Sequence, residues 1–598
     1  MSNFYEDASV VMVPSGYKDQ KVYSSVPDDG SADLTFSRSN DTATRVGPDG
    51  LIEKVRTNEI LYSEDFTQTN WDTAQVSVTA NTIANPINGA TTADTLTASA
   101  GSSAHYLYDP SAPYSAGENT ISIYAKYNNN QWVCLQWYDG SSAYEASFDI
   151  QNGVAGAIDG SASSSITSIG SGWYRISLTA TSASGGTGYY VIALNDTDTA
   201  SLETWTAAGT ESAYIFGAQL EAGVMTDYIA TTSSAVSVGP VSGLPRLDYS
   251  GGANSPSLLL EPQRTNLALY SERLASQSLQ GTVSVSSNAA VSPDGYQNAD
   301  KLIVTTTSAF AGAVVSGMGN DTYSVSMFAK AAGKNWVFLY EIGSASGVNG
   351  IWFNVANGTI GSVGSAWSNA KIENYGNDWY RVSATTTLSG GNYLYWLSAE
   401  SDGNVNTTGS ATDGVLMWGL TYEAGAYATS YIPTLSAAVT RGADNAVKTG
   451  IGSLLSASEY TLYWEGTHIP TGDYNSFMTI YKASDLNASA RFYRNNSNNE
   501  IRAAIFDISV SGLSLDLGSG VTTQTAKCAL RVKAGDYAFY VNGNLVNSNT
   551  SALAPSSTLD AVNLQYYNSS QSFDQKTGQV LFFKSALSNA NLATLTTL

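Results

Sequence analysis

The chain has 598 residues, a formal net charge of −23 and only 13% charged residues. This length exceeds what one hydrophobic core serves and predicts about three or four domains of roughly 100 to 200 residues each. The acidic balance repels phosphate backbones and no Lys/Arg cluster interrupts it, which argues against nucleic acid as a partner.

The sequence also argues against membranes and metal clusters. No stretch approaches the roughly 20 apolar residues of a membrane helix, and no basic flank precedes an apolar core at the amino terminus, so we expect neither membrane insertion nor signal-directed export. Cys134 and Cys528 lie in different modules inside apolar runs and are interpreted as buried small hydrophobic residues. The histidines are only two, His105 and His468, which excludes a His-rich metal site.

The first 57 residues combine short apolar pieces with turn clusters such as Pro27–Gly30. They hold too little apolar surface for a core of their own. We therefore expect residues 1–57 to be ordered by packing on a sister subunit or a larger assembly, as an attachment and oligomerisation segment.

The rest of the chain contains an internal repeat. Arg56–Asn58 returns as Arg264–Asn266, and the phrase GWYRIS at Trp173 returns as DWYRVS at Trp379. Further matches, such as GAQLEAG with GLTYEAG, keep their order, and the spacing between copies drifts only from 202 to 208 positions. This pattern indicates two copies of one domain that differ in loop length.

Both copies consist of six- to eight-residue runs, apolar or alternating, separated by Gly, Asn, Asp and Ser; ISIYAKY (Ile121–Tyr127) is one. Such runs predict short antiparallel strands and hence an all-β chain of tandem sandwich or jelly-roll domains. Other strand patterns near the carboxyl terminus predict a third sandwich. The predicted order is an N-terminal segment (1–57), jelly-roll repeat 1 (58–232), a stiff, extended Pro/Gly connector (233–263), jelly-roll repeat 2 (264–434), a linker (435–459) and a C-terminal sandwich (460–598).

Three linking phrases carry a family resemblance: VPSGYKDQKVYSSVPDDGSADLTFSRSNDTATRVGPDGLIEKV, GLPRLDYSGGANSPSLLLEPQRTNL and EAGAYATSYIPTLSAAVTRGAD. They resemble a modular family of virion appendage proteins of tailed bacteriophages, which are fibres or decorations on tail or head. That family carries carbohydrate-binding-like jelly rolls and terminal laminin-G or concanavalin-like sandwiches. In the family, DGLIE is followed closely by PRLDY, whereas here a whole repeat separates Leu51–Glu53 from Pro245–Tyr249.

The resemblance implies that both repeats are carbohydrate-binding-like and that residues 460–598, with the phrase YAFYVNGNLV, are concanavalin-like. It implies a non-enzymatic structural protein on the tail or capsid exterior of a virion, a tail or head fibre, and most often a homotrimer. Its expected partners are other virion proteins, through residues 1–57, and host-surface glycans bound weakly at many sites. Two alternatives stay open: a tail-spike polysaccharide depolymerase, and a capsid decoration protein without a ligand.

Sugar recognition needs flat apolar faces with hydroxyl-binding groups beside them. Alternation along ISIYAKY places Ile121, Ile123 and Ala125 in the core and the intervening side chains outward. The second copy repeats an outward aromatic residue beside a lysine, and Tyr190 aligns with Trp396 in a further strand. Alternatively, such rings cover the sheet or contact another subunit. The predicted glycan-binding residues are Tyr124, Lys126, Trp137, Tyr190, Phe328, Lys330 and Trp396.

No catalytic residue, metal ligand or cofactor is predicted. Glycoside hydrolysis requires two carboxylates roughly 5 to 10 Å apart in a cleft, and the sequence offers no recognisable pair. Glu221 and Glu423 are interpreted as capping or buried hydrogen-bonded groups, and the repeated Trp-Tyr-Arg phrase as a structural corner. Glu64 and Glu272, at matching positions, could contribute to a structural Ca²⁺ site, but the remaining oxygen ligands cannot be named.

Overall fold

The computed structural model describes residues 4–15, 17–18, 20–159, 161–252, 256–342, 350–389, 393–469, 475–565 and 574–597. It contains two compact units, residues 55–239 and residues 1–54 together with 240–598. Strands dominate both units, which confirms the all-β class. Among the described residues, no helix has the length and apolarity to cross a membrane.

The amino-terminal segment is short and mostly extended. Its elements are α1 (Phe4–Asp7), β1 (Val10–Met12), β2 (Tyr17–Lys18), β3 (Lys21–Val22), β4 (Leu34–Ser37), β5 (Thr44–Val46) and β6 (Ile52–Lys54). Strands β5 and β6 form a hairpin.

Repeat 1 is a sandwich of two six-stranded antiparallel sheets. Its strands are β7 (Arg56–Asn58), β8 (Asp72–Ala74), β9 (Val76–Ala84), β10 (Thr91–Ala98), β11 (Gly101–Ser103), β12 (His105–Tyr114), β13 (Gly117–Tyr127), β14 (Trp132–Tyr138), β15 (Ala143–Asp149), β16 (Val154–Ile158), β17 (Ser163–Gly170), β18 (Trp173–Ser182), β19 (Gly186–Asn195), β20 (Trp205–Ala207), β21 (Ser212–Ala222) and β22 (Val236–Val238). We name β16-β15-β14-β19-β12-β8 the front sheet and β17-β18-β13-β21-β10-β9 the back sheet.

The connector contributes β23 (Arg246–Asp248) and β24 (Ser257–Leu260), and repeat 2 follows with the same two-sheet design. Its strands are β25 (Arg264–Asn266), β26 (Ser278–Gln280), β27 (Val283–Ala290), β28 (Ala299–Val304), β29 (Ser308–Ala309), β30 (Gly312–Ser316), β31 (Thr322–Ala332), β32 (Trp336–Ile342), β33 (Gly350–Asn354), β34 (Thr359–Val363), β35 (Trp367–Asn374), β36 (Tyr380–Thr387), β37 (Tyr393–Ala399), β38 (Asn406–Thr407), β39 (Gly414–Ala424) and β40 (Val439–Arg441). Here the front sheet is β26-β30-β37-β32-β33-β34 and the back sheet is β27-β28-β39-β31-β36-β35.

The C-terminal sandwich contains β41 (Asn445–Thr449), β42 (Glu459–His468), β43 (Asn475–Lys482), β44 (Asp485–Arg494), β45 (Ile501–Asp507), β46 (Leu513–Gly518), β47 (Thr525–Lys533), β48 (Tyr537–Val541), β49 (Asn544–Asn549), β50 (Ala561–Asn563), β51 (Gln575–Phe583) and α2 (Asn589–Leu595). One sheet has the order β23-β24-β51-β42-β47-β48-β49, with β1 also paired to β51. The other has the order β2-β3-β4-β41-β50-β43-β44-β45-β46.

Strands β1 to β4 of the amino-terminal segment and β23 and β24 of the connector are therefore parts of the C-terminal sandwich. Val10 lies opposite Phe582 in the β1–β51 ladder, and Leu258 lies opposite Thr577 in the β24–β51 ladder. Each buried aliphatic or aromatic side chain of this kind contributes roughly 1.5–3 kcal/mol. The buried contributors to the shared core from these two segments are Val10, Met12, Val22, Ala32, Leu34, Phe36, Leu247, Leu258 and Leu260.

This arrangement corrects two expectations. Residues 1–57 were expected to be ordered by a sister subunit or larger assembly, but domains of the same chain bury their apolar pieces: the C-terminal sandwich buries Val10 to Phe36, and Ile52 packs in a cluster of repeat 2. The connector was expected to be a stiff extended link, but its leucines complete a sheet. The physical reason is the same in both cases. A short apolar segment cannot form a core of its own, but it can pair with the open edge of a sheet and bury its side chains in the core of that sandwich. Residues 253–255 of the connector lie outside the described residues.

Five buried charged side chains join the linking phrases inside the larger unit: Arg38, Arg246, Glu261, Arg441 and Asp444. Glu261 accepts from Arg246 at 2.7 Å and lies 2.8 Å from Arg441, while Asp444 pairs with Arg38 at 3.0 Å and also with Arg246. Burial opposes ionisation of Glu261, but the Arg441 and Arg246 charges and the Ser430 hydrogen bonds outweigh it and lower its pKa. The phrases that carry the family resemblance thus meet in one ion cluster.

Candidate functional site

Three predicted glycan-binding residues lie inside the sandwiches. Trp137 and Tyr190 belong to the core of repeat 1, Trp396 belongs to the core of repeat 2, and all three are fully buried. The Tyr190 hydroxyl donates to the Ser122 carbonyl at 2.8 Å across the interior. The prediction that these rings face a ligand is wrong, because each ring lies on the strand face that points into its own sandwich.

Tyr124 and Phe328 point away from the core, as alternation predicted, but they are covered. In repeat 1 the Tyr228 ring lies 5.8 Å from Tyr124, and the Arg175 guanidinium lies 5.3 Å from the same ring. In repeat 2, Phe328 is enclosed by Tyr375, Trp418, Tyr431 and Arg381. Tyr124 is 5% exposed and Phe328 is 1% exposed, so neither offers a face to a sugar.

The neighbouring lysines, Lys126 and Lys330, are half-buried. Lys330 Nζ donates to the Asn377 carbonyl at 2.7 Å and lies 3.5 Å from an Asp378 carboxylate oxygen. The lysine of repeat 2 therefore closes a local turn, while no hydrogen bond of Lys126 is present within the described residues.

The Trp-Tyr-Arg phrase is a structural corner, as predicted. Arg175 donates to the Thr226 carbonyl at 2.6 Å and to Ser122 Oγ at 3.1 Å. Arg381 makes the same pair of bonds in repeat 2, at 2.6 Å to Thr429 O and 3.1 Å to Ser326 Oγ. Each arginine thus holds one segment against the back sheet of its repeat. That segment follows β21 in repeat 1 and β39 in repeat 2.

The strand ladders give the true equivalence of the two front sheets. Trp132 lies opposite Asn195 in repeat 1, and Trp336 lies opposite Ala399 in repeat 2. The shift between copies is therefore 204 for β19 and β37 as well as for β14 and β32. Tyr190 then corresponds to Leu394 and not to Trp396, while the residue before it, Tyr189, corresponds to Tyr393.

These two equivalent tyrosines are the exposed rings of the front sheets. Tyr189 is 43% exposed and Tyr393 is 41% exposed. The sequence contained a signal for Tyr189, because Tyr190, Ile192 and Leu194 share one parity and are the apolar set of their strand. Opposite parity places Tyr189 outward, and a tyrosine suits that position because its hydroxyl keeps contact with water.

Around Tyr189, the outer face of the repeat 1 front sheet carries four tyrosines in contact, which we name ring row 1: Tyr106, Tyr108, Tyr189 and Tyr138. Their ring centroids are 5.4 Å apart for Tyr106 and Tyr108, 5.8 Å for Tyr108 and Tyr189, and 5.5 Å for Tyr189 and Tyr138. Tyr138 donates its hydroxyl to the Gly140 carbonyl at 2.9 Å. The other three hydroxyls have no hydrogen bond within the described residues.

The repeat 2 front sheet carries ring row 2: Tyr393, Tyr395, Tyr340 and Phe310. Consecutive centroids lie 6.3, 5.6 and 4.8 Å apart. The three tyrosine hydroxyls have no hydrogen bond within the described part of the chain. Phe338 and Trp352, stacked at 5.2 Å with an interplanar angle of 8°, form an apolar base beside the row.

The electrostatics of the rows favour neutral hydroxyl donors. Burial, followed by the charge of Asp72, raises the pKa of Tyr108, and burial, followed by Tyr393, raises the pKa of Tyr395. Both phenols therefore stay protonated at neutral pH. Gln136 and Glu145 form a hydrogen-bonded pair on the strands next to ring row 1, so an amide and a carboxylate accompany the rings. Flat apolar faces with polar neighbours can stack a ligand and bind its hydroxyls.

The isolated carboxylates serve structural roles. Glu221 accepts from the Thr226 amide at 2.9 Å, and Glu423 accepts from the Thr429 amide at 2.8 Å, at matching places in the two repeats. Both are buried. The interpretation of these groups as buried hydrogen-bonded carboxylates is confirmed.

Glu272, one of two predicted Ca²⁺ ligands, has an internal cation. Lys54 Nζ lies 2.9 and 2.8 Å from its two carboxylate oxygens and 2.8 Å from Asp294. In repeat 1, Asn88 stands at the position of Asp294, and among the described residues the hydrogen bond of Glu64 is from the Tyr228 hydroxyl at 3.2 Å. An ammonium group therefore takes the position that a metal ion was expected to take in repeat 2. Within the described residues, no cluster of three or more His, Cys, Asp or Glu side chains could hold a metal.

The histidines and cysteines are buried structural residues. His105 Nδ1 bonds the Gln75 carbonyl at 2.8 Å and its ring meets Trp205 edge-on. His468 Nδ1 accepts from Arg494 Nε at 3.2 Å. Cys134 and Cys528 are free and buried, as predicted.

No family model and no curated protein sequence matches the chain. Among solved structures, the CBM40 module of a Ruminococcus gnavus IT-sialidase bound to α2,3-sialyllactose is similar over 24% of this chain and 84% of its own, at 13% identity and a TM-score of 0.22. The tandem CBM22 domains of Paenibacillus barcinonensis Xyn10C are similar over 61% and 98%, at 12% identity and a TM-score of 0.21. The LG1–3 region of the laminin α2 chain is similar over 82% and 97%, at 9% identity and a TM-score of 0.14. Similarities of this size say nothing about the ligand of this chain.

Proposed function

We propose that the chain is a non-catalytic glycan-binding protein that contacts saccharides through ring rows 1 and 2. The observation that carries this proposal is the recurrence of an exposed tyrosine, Tyr189 and Tyr393, at equivalent positions of both front sheets. Each stands in a row of four contacting rings. The other rings differ between the copies, but an exposed tyrosine at the same front-sheet position of both, with further rings beside it, favours a binding surface used twice.

The magnitudes favour weak single sites and stronger binding by repetition. Stacking contributes on the order of 1 kcal/mol per ring beyond buried area, so one row gives a modest affinity. Two rows on one chain raise the overall affinity when both reach the same glycan surface, because the second contact becomes intramolecular. An oligomer multiplies this effect.

We further propose that this binding serves a structural virion protein of a tailed bacteriophage, displayed as a fibre-like appendage on the exterior of tail or head and assembled as a trimer. The three linking phrases support this proposal through their resemblance to that family. Immunogold labelling of particles tests the location, and sedimentation equilibrium of the purified chain tests the trimer.

The binding proposal is tested on a glycan microarray with the labelled full chain. The variants are Tyr189→Ser, Tyr393→Ser and the double substitution, and the matched control is Tyr23→Ser, which removes a 39% exposed tyrosine outside both repeats. We expect each single variant to weaken binding, the double variant to lose it and the control to match the wild type.

Three results would contradict the proposal. A double variant that binds like the wild type would show that the ring rows are not the binding site. A wild-type chain that binds no glycan would favour an architectural decoration protein. Release of reducing sugar from host polysaccharide would indicate a depolymerase.

A further inference from the structure

A second candidate site lies in the larger unit, against the back-sheet strands β35 and β36 of repeat 2, whereas ring row 2 belongs to the front sheet. A cavity of about 290 Å³, partly open to solvent, is lined by β35 and β36 of repeat 2, by residues 427–431, by the β5–β6 hairpin, and by the connector and C-terminal sandwich. Its lining includes the exposed amides of Asn369, Asn499 and Gln524, whereas Asp574 and Glu261 in the lining are buried. The cavity thus has a polar rim and an acidic floor.

Asp574 is the unusual group of the floor. It is 4% exposed, and within the described residues no donor makes a hydrogen bond to its carboxylate. Burial, and then the charge of Glu261, raise its pKa to about 7. A buried polar group without a hydrogen bond costs free energy, and the described residues supply no donor to this carboxylate, so a ligand with donors in the cavity would stabilise it.

The other charged groups of the floor are already engaged. Glu261 is paired with Arg246 and Arg441 and accepts from Ser430, and Lys576 Nζ lies 2.9 Å from an Asp248 oxygen. Asp574 therefore remains as the buried acceptor free to bind a guest. Lys371 is a half-buried residue of the cavity wall whose charge opposes the rise in the Asp574 pKa. It has no hydrogen bond within the described residues.

The lining also defines the chemistry of the guest. Eight charged side chains line the cavity, four of each sign, so a net charge on the ligand gains nothing overall. An apolar ligand would leave Asp574 without donors. A neutral molecule with several hydroxyls satisfies Asp574 and the rim amides together, and Tyr375 and Tyr427 add ring surface to the wall.

We propose that this cavity binds a single neutral sugar residue, whose hydroxyls donate to Asp574 and exchange hydrogen bonds with Asn369, Asn499 and Gln524. The site is separate from the ring rows and does not depend on them. Its volume of about 290 Å³ suits one sugar residue, whereas the open ring rows suit an extended glycan chain.

The test measures binding of four free sugars, D-glucose, D-galactose, D-mannose and N-acetyl-D-glucosamine, to the full chain by saturation-transfer NMR. The variants are Asp574→Asn, which keeps the shape and removes the anionic acceptor, and Gln524→Ala at the exposed rim. The Tyr189→Ser/Tyr393→Ser double variant is the control. We expect at least one sugar to bind, Asp574→Asn to weaken it at least tenfold, Gln524→Ala to weaken it severalfold and the double variant to leave it unchanged.

The proposal is overturned if none of the four sugars binds, if Asp574→Asn binds as the wild type does, or if only the tyrosine variant loses binding. A melting curve checks that Asp574→Asn folds; should it not, an unchanged affinity of Gln524→Ala overturns the proposal by itself. Loss of array binding in the tyrosine variant with retained monosaccharide binding would show that the two sites are independent.

Discussion

Substitution Glu261→Gln tests whether the ion cluster holds the larger unit together. Glu261 is 2% exposed, lies within 2.8 Å of both Arg246 and Arg441, and accepts from the Ser430 amide at 2.6 Å. Glutamine keeps the size but removes the charge, which leaves three buried arginines with Asp444 as their remaining partner in the cluster. Removing one member of a buried ion pair costs about 3–5 kcal/mol, and we expect a loss of that size.

The two buried cysteines supply the assay. Cys528 lies in the larger unit and Cys134 in residues 55–239, so pulsed alkylation in urea followed by peptide mass spectrometry reports each unit separately. We expect Glu261→Gln to lower the urea midpoint of Cys528 labelling and to leave that of Cys134 in place. The matched control is Glu6→Gln, an exposed glutamate of the same unit, with no shift expected.

If Glu261→Gln loses less than about 1 kcal/mol of unfolding free energy, which is the range of an exposed ion pair, the ion cluster does not hold the larger unit together. An equal shift at Cys134 would contradict the prediction as well.

Three further predictions use the same labelling assay. Lys54→Met leaves the Glu272 and Asp294 carboxylates without their ammonium group, so we expect the urea midpoint of Cys528 labelling to fall at pH 7. The midpoint should recover partly at pH 4.5, because the carboxyls become protonated. A loss of stability that is independent of pH would contradict this prediction. Burial and the Arg494 charge hold the pKa of His468 well below 6.5. The unfolded chain therefore binds a proton that the folded chain does not, and the wild type loses up to about 1.4 kcal/mol of stability per pH unit as the pH falls below 6.5. His468→Gln should lack this pH dependence. Burial and the Glu261 charge raise the pKa of Asp574 to about 7 in the folded chain, above the roughly 3.9 of a free aspartate, so wild-type stability falls by a few kcal/mol from pH 4 to 8. Asp574→Asn should remove that fall, and equal pH profiles would count against the buried carboxylate.

The strand pattern predicted the sandwiches well because one parity of each strand is consistently apolar. Ile121, Ile123 and Ala125 lie in the core as alternation required. The partners of the amino-terminal segment could not be predicted in the same way. Val10 of the three-residue strand β1 pairs with Phe582 of β51, and no pattern in either strand identifies the other as its partner.

The site was harder to predict because its strands are apolar on both faces. In WVCLQWY the residues of both parities are large or apolar, so periodicity alone could not decide whether Trp137 or Tyr138 points outward. The structure assigns the tryptophan to the core and the tyrosine to the surface. Covering of Tyr124 by Tyr228 could not be predicted either, because the covering segment follows about 100 residues later.

A crystal structure of the full chain with an oligosaccharide selected on the array would test the central claim most directly. We expect sugar density against Tyr189 in ring row 1 and against Tyr393 in ring row 2, with hydroxyls within hydrogen-bond distance of the free phenols. Sugar bound at full occupancy elsewhere on the chain, with both ring rows bare, would contradict the account.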